Sequence, residues 1–523
     1  MDRTTKFQEY ITQGYTFKDQ SIVIGTAILD SHPLEKVQVK VPLKSLNRHG
    51  LIAGATGTGK TKTLQVLAES MSDNGIPVVL LDIKGDLSGI AAPGAPNSKI
   101  DERMQKIGIQ WRPQGFPVEL MSLSEEKGVR LRATVTEFGP VLFSKILELN
   151  DTQAGVVAVV FKYADDYQLP LLDLDDFKKV LNYAINEGSE EVAEQYGKIS
   201  PATAGTILRK IVELEQQGAE TFFGEPSFEI DDLCRTDDQC RGTISIVRVT
   251  DLQDRPKLFS TFMLSLLAEI YATFPEQGDL EQPKLVFFID EAHLLFDEAS
   301  KALLDQIENI VRLIRSKGVG IFFCTQKPTD IPEQVLAQLG LKIQHALRAF
   351  TAKDRQDIKL TAQNYPDSEF YATDDLLTSL GIGEAAVTAL DEKGRPTPLV
   401  ATLMCAPRSR MNILTPEELD DLVQASALVK KYNRTINRES AYEILTEKLN
   451  QKTRQEQTDS EEDANSKSSK QSTKPAKEEP GLFEKITKNT MVRQIGRSVA
   501  QEVTRGILGV LGVGGKSSKK GWF

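Results

Sequence analysis

A lysine closing a glycine-rich turn, two consecutive carboxylates and a glutamine, each at the end of an apolar run, are the residues of this chain best suited to chemistry. Gly54-Ala55-Thr56-Gly57-Thr58-Gly59-Lys60-Thr61 follows the apolar segment Leu51-Ile52-Ala53 and opens a helical period, and it fits the pattern G-x-x-x-x-G-K-[ST]. Its glycines let successive backbone N–H groups converge on phosphate oxygens, and the helix N-terminus adds partial positive charge. Gly54, Ala55, Thr56, Gly57, Thr58, Gly59, Lys60, Thr61 and Thr63 are therefore the candidate nucleotide-binding residues. Lys60 is expected to reach the β- and γ-phosphates of ATP, and the Thr61 hydroxyl to take one Mg²⁺ coordination position.

Leu285-Val286-Phe287-Phe288-Ile289-Asp290-Glu291 reads as a buried strand that ends in two acids. An acid pair at the C-terminal edge of a parallel sheet lies where such folds bind ligands. Asp290 is expected to hold Mg²⁺ through its water shell, and Glu291 to polarise the attacking water. Gly320-Ile321-Phe322-Phe323-Cys324-Thr325-Gln326 is another apolar run with a polar end, so Gln326 would sense the γ-phosphate if this strand lies beside the glycine-rich turn. Asp82, closing Val78 to Leu81, is open to either a catalytic role or a structural one in a turn or ion pair. Arg348 and Arg355 follow a strand-like run, and Arg312 and Arg315 stand three apart on a helix. Any of these arginines would suit the role that a neighbouring subunit's arginine plays in ring ATPases. Asp290-Glu291-Ala292-His293 also spells a helicase tetrapeptide, without that superfamily's companion motifs.

The elements that must position these groups are short apolar runs alternating with helical periods, the pattern of a parallel sheet with crossover helices. The expected fold is α/β, a P-loop core of the additional-strand, catalytic-glutamate class over 48–89 and 241–405, interrupted by a mostly helical insertion over 90–240. A short β segment over 1–47 precedes it and a helical extension over 406–450 follows. Residues 451–480 are nearly devoid of apolar side chains and read as a disordered linker. Over 481–523, Val492, Ile495, Val499, Val503 and Ile507 recur at helical spacing among Lys485, Lys488, Arg493, Arg497 and Arg505, which predicts a basic amphipathic helix. Three uses suit that helix: packing on its own ring, docking a protein partner, or touching a membrane surface.

Composition narrows the setting. With 523 residues, 26% of them charged, the chain is long enough for more than one structural unit. Net charge of -11 excludes a histone-like coat of positive charge but not a locally basic channel. No run approaches the roughly 18 apolar residues of a transmembrane helix, the N-terminus lacks a secretory pattern, and the four cysteines have no metal spacing. A cytoplasmic protein is the expectation.

Taken together, the P-loop, Asp82-Ile83-Lys84-Gly85-Asp86, Asp290-Glu291-Ala292-His293 and Thr325-Gln326-Lys327-Pro328-Thr329-Asp330-Ile331-Pro332 resemble the HerA/FtsK superfamily, and within it the bacterial HerA-like YjgR family. The resemblance runs from about His49 through Leu403. It implies a RecA-like core, a hexameric homo-oligomeric ring, and ATP-driven movement of double-stranded DNA. It also makes Gln326 the sensor glutamine and Arg348 the leading candidate for the arginine acting across a subunit boundary, with Arg355 second. Two alternatives from other classes stand beside it: an ATPase that remodels a protein substrate, and a nucleotide-switched scaffold.

Overall fold

The computed structural model describes residues 2–466 apart from 125, 251–254, 279, 297–300, 435 and 437. The basic C-terminal helix expected over 481–523 lies outside the described residues. Two compact units emerge, one of residues 1–131 and 228–434, the other of 132–227 and 435 onward.

The first unit is built on a single twelve-stranded sheet. In chain order its strands are β1 (Ser21–Leu29), β2 (His32–Pro42), β3 (Gly50–Ala53), β4 (Val78–Asp82), β5 (Val118–Ser122), β6 (Val129–Arg130), β7 (Ile244–Arg248), β8 (Leu285–Ile289), β9 (Val319–Thr325), β10 (Leu341–His345), β11 (Glu384–Thr388) and β12 (Val400–Met404). Across the sheet they run β2-β1-β12-β11-β10-β3-β9-β8-β4-β7-β5-β6. From β10 to β6 every pairing is parallel, and from β10 back to β2 every pairing is antiparallel.

Parallel strands are covered on both faces and must be apolar along their whole length. Gly-Leu-Ile-Ala of β3, Val-Val-Leu-Leu of β4, Leu-Val-Phe-Phe-Ile of β8 and all of β9 are buried at every position, as that demands. Phe288 and Phe322 stack on neighbouring strands with ring centroids 4.8 Å apart, at the centre of a core that extends to Ile52, Leu80, Ile246 and Ile343.

Differences from the sequence reading concern elements rather than the site. The expected N-terminal β segment begins with a helix, Arg3–Gly14, capped by the Asp2 side chain and burying Phe7 and Ile11. The hairpin that follows precedes the core in sequence but joins the main sheet through β12. Within 90–240, β5 and β6 extend the sheet edge, so the compact helical unit is narrower, starting at Arg132 and ending at Ser227. A five-residue strand carrying both Glu119 and Ser122 has too little apolar content to announce itself.

The helical unit holds Val135–Ile146, Asp151–Asp166, Leu174–Ile185, Ser189–Tyr196 and Pro201–Gln216. Capping boxes Thr134/Glu137, Asn150/Gln153 and Asp173/Asp176 start three of them, and Phe143 packs on Phe177 with centroids 4.9 Å apart. Ala441–Ser466 belongs to the same unit, where the Tyr442 amide donates to Asp176 Oδ1 at 2.8 Å. This helix enters the stretch read as linker. Polar composition removes the drive to bury surface, but Gln, Glu, Lys and Arg are good helix formers, so the chain continues a helix already started by Leu445 and its neighbours.

Candidate active site

The C-terminal ends of β3, β9, β8 and β4 lie side by side, and each carries a polar group at its edge. In register, Ala53 pairs with Thr325, Ile289 with Phe323, and Leu81 with Ile289. The strand bearing Asp290 and Glu291 is thus separated from the glycine-rich turn by one strand, β9, the additional strand of the expected class. Gln326 follows that strand and stands next to the turn, as adjacency of β9 and β3 requires.

The turn itself needs its glycines. Gly54 has φ +151, and a Cβ there would lie 2.5 Å from His345 Cβ; Gly59 has φ +117, and its Cβ would press on Gly383 Cα at 3.3 Å. The helix Lys60–Asp73 begins immediately after, so its first N–H groups point into the cleft. Lys60 is buried, and its Nζ donates to the carbonyls of Gly54 at 2.7 Å and Ala55 at 3.3 Å, which holds the ammonium over the loop. Burial lowers its pKa, helped by the positive charge of Lys84.

Asp290 and Glu291 are both buried at the edge of β8. Burial raises the Asp290 carboxyl to about 6. Its Oδ2 has no hydrogen-bond donor among the described residues. Glu291 has φ +46, a positive value that is uncommon for a residue other than glycine. Its Oε1 forms an ion pair with Lys84 Nζ. Oε2 lies 3.3 Å from His293 Nδ1 but out of hydrogen-bonding alignment, and has no donor among the described residues. Burial pushes the Glu291 pKa up, yet the Lys84 hydrogen bond and charge, with His293 and Lys60, hold it below the ordinary glutamate value.

These donors fit ATP and Mg²⁺. Asp290 Oδ2, a buried carboxylate oxygen with no partner among the described residues, and the hydroxyl of Thr61 at the first turn of the helix are oxygen ligands of the kind that a small hard cation prefers.

Residues 28–518 match the family described as Helicase HerA-like C-terminal. The chain belongs to this family. Among relatives of this HerA-family chain, the DNA double-strand break repair helicase HerA of Sulfolobus acidocaldarius is 22% identical over 358 residues, covering 67% of the chain and 64% of that protein. The protein of the same name from Saccharolobus solfataricus is 23% identical over 379 residues, covering 71% of the chain and 66% of that protein. The chain thus spans a little under two thirds of the length of each of these two relatives. Among solved structures, the bacterial conjugative coupling protein TrwBdeltaN70 aligns with 78% of the chain and 94% of its own at 13% identity and a TM-score of 0.48. VirB4 of Thermoanaerobacter pseudethanolicus aligns with 77% and 99% at 17% identity and a TM-score of 0.45. The HerA-family chain carries its P-loop between β3 and the helix Lys60–Asp73 of this parallel sheet. No helix among its described residues is long and apolar enough to cross a membrane.

The remaining candidates of the HerA-family chain fall in distinct places. Thr63 is buried, and its hydroxyl is engaged by His345 Nε2 at 2.9 Å. Asp82 accepts from the amides of Gly85 at 2.8 Å and Asp86 at 3.2 Å through Oδ1, and from Leu87 at 3.1 Å through Oδ2. That geometry serves the turn, the structural side of the two openings left for Asp82. Arg348 is exposed beyond β10 and donates to the Thr378 carbonyl at 3.2 Å; Arg355, Arg312 and Arg315 are exposed as well.

Sequence reasoning missed three supports. Lys84 was visible only as part of a motif, His345 as the end of an apolar run, and Arg103 not at all. Arg103 Nη1 donates to the carbonyl of Gly383 at 3.0 Å, and the Gly383 amide donates to the Thr58 carbonyl at 2.9 Å, so this arginine braces the P-loop from the β11 side. Such contacts join segments hundreds of residues apart and leave no local pattern to read.

Proposed function

We propose that this chain is the motor of a homo-oligomeric, cytoplasmic HerA-like ring, hexameric by family resemblance, that couples Mg²⁺-dependent ATP hydrolysis to the movement or unwinding of double-stranded DNA. The observation that carries the hydrolytic half is the placement of Glu291, buried beside Asp290 and one strand removed from the P-loop. In this reading the P-loop amides and Lys60 bind the β- and γ-phosphates, and Thr61 and Asp290 would hold Mg²⁺, which supplies charge neutralisation on the phosphates. Glu291 Oε2 accepts a proton from the attacking water, Gln326 orients that water or senses the γ-phosphate, and Arg348 of an adjacent subunit offsets the charge of the transition state.

Support for the DNA half comes from the relatives named as DNA double-strand break repair helicases. The acidic net charge of -11 favours a second reading, in which the same ATPase remodels a protein. Steady-state hydrolysis with and without linear double-stranded DNA, at one stated salt concentration, separates them. Stimulation of about tenfold that vanishes in Glu291→Gln supports the DNA motor. Hydrolysis that needs Glu291 but ignores DNA supports protein remodelling.

A further inference from the structure

Glu291 enters the cleft with its two oxygens in different states. Oε1 is ion-paired with Lys84 Nζ, whereas Oε2 is buried, lies 3.3 Å from His293 Nδ1 and accepts no hydrogen bond among the described residues. A carboxylate is symmetrical and rotates freely about its last bond, so a general base that must face one water benefits from having its other oxygen held. The left-handed backbone at Glu291 sets the root of the side chain, and the ammonium of Lys84 sets its tip.

Lys84 is itself held. It lies in the turn after β4, the strand next to β8, and that turn is gathered around the Asp82 carboxylate by the amides of Gly85, Asp86 and Leu87. A lysine is suited to this task because its ammonium is a point donor that can take one oxygen and leave the other, whereas a guanidinium tends to fork onto both.

We infer that Lys84 is the positioning residue for Glu291, fixing Oε1 so that Oε2 is presented to the attacking water, with Asp82 fixing the turn that aims Lys84. The inference rests on the reading of Glu291 as the group that polarises water. It assigns Lys84 no contact with the nucleotide.

The test is steady-state hydrolysis together with fluorescent ATP binding for Lys84→Met, Lys84→Gln, Glu291→Gln and the Lys84→Met/Glu291→Gln double variant. Lys84→Met is expected to lower kcat by about tenfold or more while KM and nucleotide affinity stay within about twofold. Lys84→Gln, which keeps an N–H donor, is expected to recover part of the loss, and the double variant to be no slower than Glu291→Gln alone. Should Lys84→Met fail to fold, the glutamine variant carries the same comparison. An unchanged or raised kcat in Lys84→Met overturns the inference, as does a loss that appears in KM. If Glu291→Gln hydrolyses ATP like the unmodified protein, the reading of Glu291 falls and the inference with it. If Glu291→Gln is inactive and Lys84→Met is not impaired, the inference about Lys84 falls alone.

Discussion

The Thr63 hydroxyl donates to Nε2 of His345 across 2.9 Å, and the opposite ring nitrogen donates to the Glu384 carbonyl, also at 2.9 Å. One neutral imidazole therefore ties the P-loop helix to β10 and β11. His49, at the entry to β3, is arranged alike: Nε2 donates to the Val311 carbonyl at 2.8 Å and Nδ1 accepts from the Ile321 amide at 3.0 Å. Burial lowers both imidazoles to about 4.

Those histidines give stability a pH dependence with a definite sign. The unfolded chain takes up protons near pH 6.5 while the folded one resists until about 4, so this stabilisation is complete above 6.5 and is lost as pH falls toward 4. Asp82 and Asp290, raised by burial from 3.8 to about 6, act oppositely, their contribution being present at low pH and lost as pH rises through 6. A variant isolates one group from this partial cancellation. In urea unfolding, the stability gap between the unmodified protein and His49→Gln is expected to narrow by about 2 kcal/mol between about pH 7.5 and about pH 5. A constant gap would show that His49 is not held neutral.

Glu291→Gln keeps the shape and burial of the side chain but removes its ability to take a proton. ATP binding should survive, with turnover reduced by about 100-fold or more, as read by fluorescent nucleotide titration and phosphate release. Lys60→Ala should instead lose binding.

For Asp290 the distinguishing quantity is the dependence on Mg²⁺. ATP with Mg²⁺ should raise the melting temperature of the unmodified protein more than ATP with a chelator, since a ligand at about 100 times its Kd adds about 2.7 kcal/mol. In Asp290→Asn the two conditions are expected to converge. Retention of the full Mg²⁺ increment would remove Asp290 from the metal site.

Arg348 is exposed and is followed closely by Phe350, whose surface is 87% exposed. If Arg348 completes a neighbour's site, Arg348→Ala and Glu291→Gln proteins, each inactive alone, should regain activity when mixed and reassembled. Random mixing at equal amounts predicts about a quarter of the unmodified rate, the share of sites with an intact glutamate and an intact neighbouring arginine. No recovery on mixing would place the arginine elsewhere.

At the centre of the sheet, Phe322 is buried and its ring packs on Phe288. Phe322→Ala is expected to cost about 3–5 kcal/mol in denaturant unfolding, through lost burial and the cavity left between β9 and β8. A cost under about 1 kcal/mol would mean that the sheet closes over the gap.

The P-loop and the Asp290-Glu291 pair were legible in the sequence because each is a contiguous motif whose neighbours, an apolar strand before and a helix or turn after, are also local. The same holds for β3, β4, β8 and β9, whose unbroken apolar runs can only be strands covered on both faces. Strand order is another matter, since it is set by crossovers and by which faces pack. Only the tertiary structure placed β9 between β3 and β8, and with it Gln326 beside the P-loop. It also brought Lys84 to Glu291, His345 to Thr63 and Arg103 to Gly383, contacts between segments far apart in the chain that no local pattern records. The sequence by itself determined which residue types stand ready to bind phosphates and polarise water; the fold decided which of their oxygens and nitrogens are held and which are left to act, because partner choice in a buried site depends on distance in space and not along the chain.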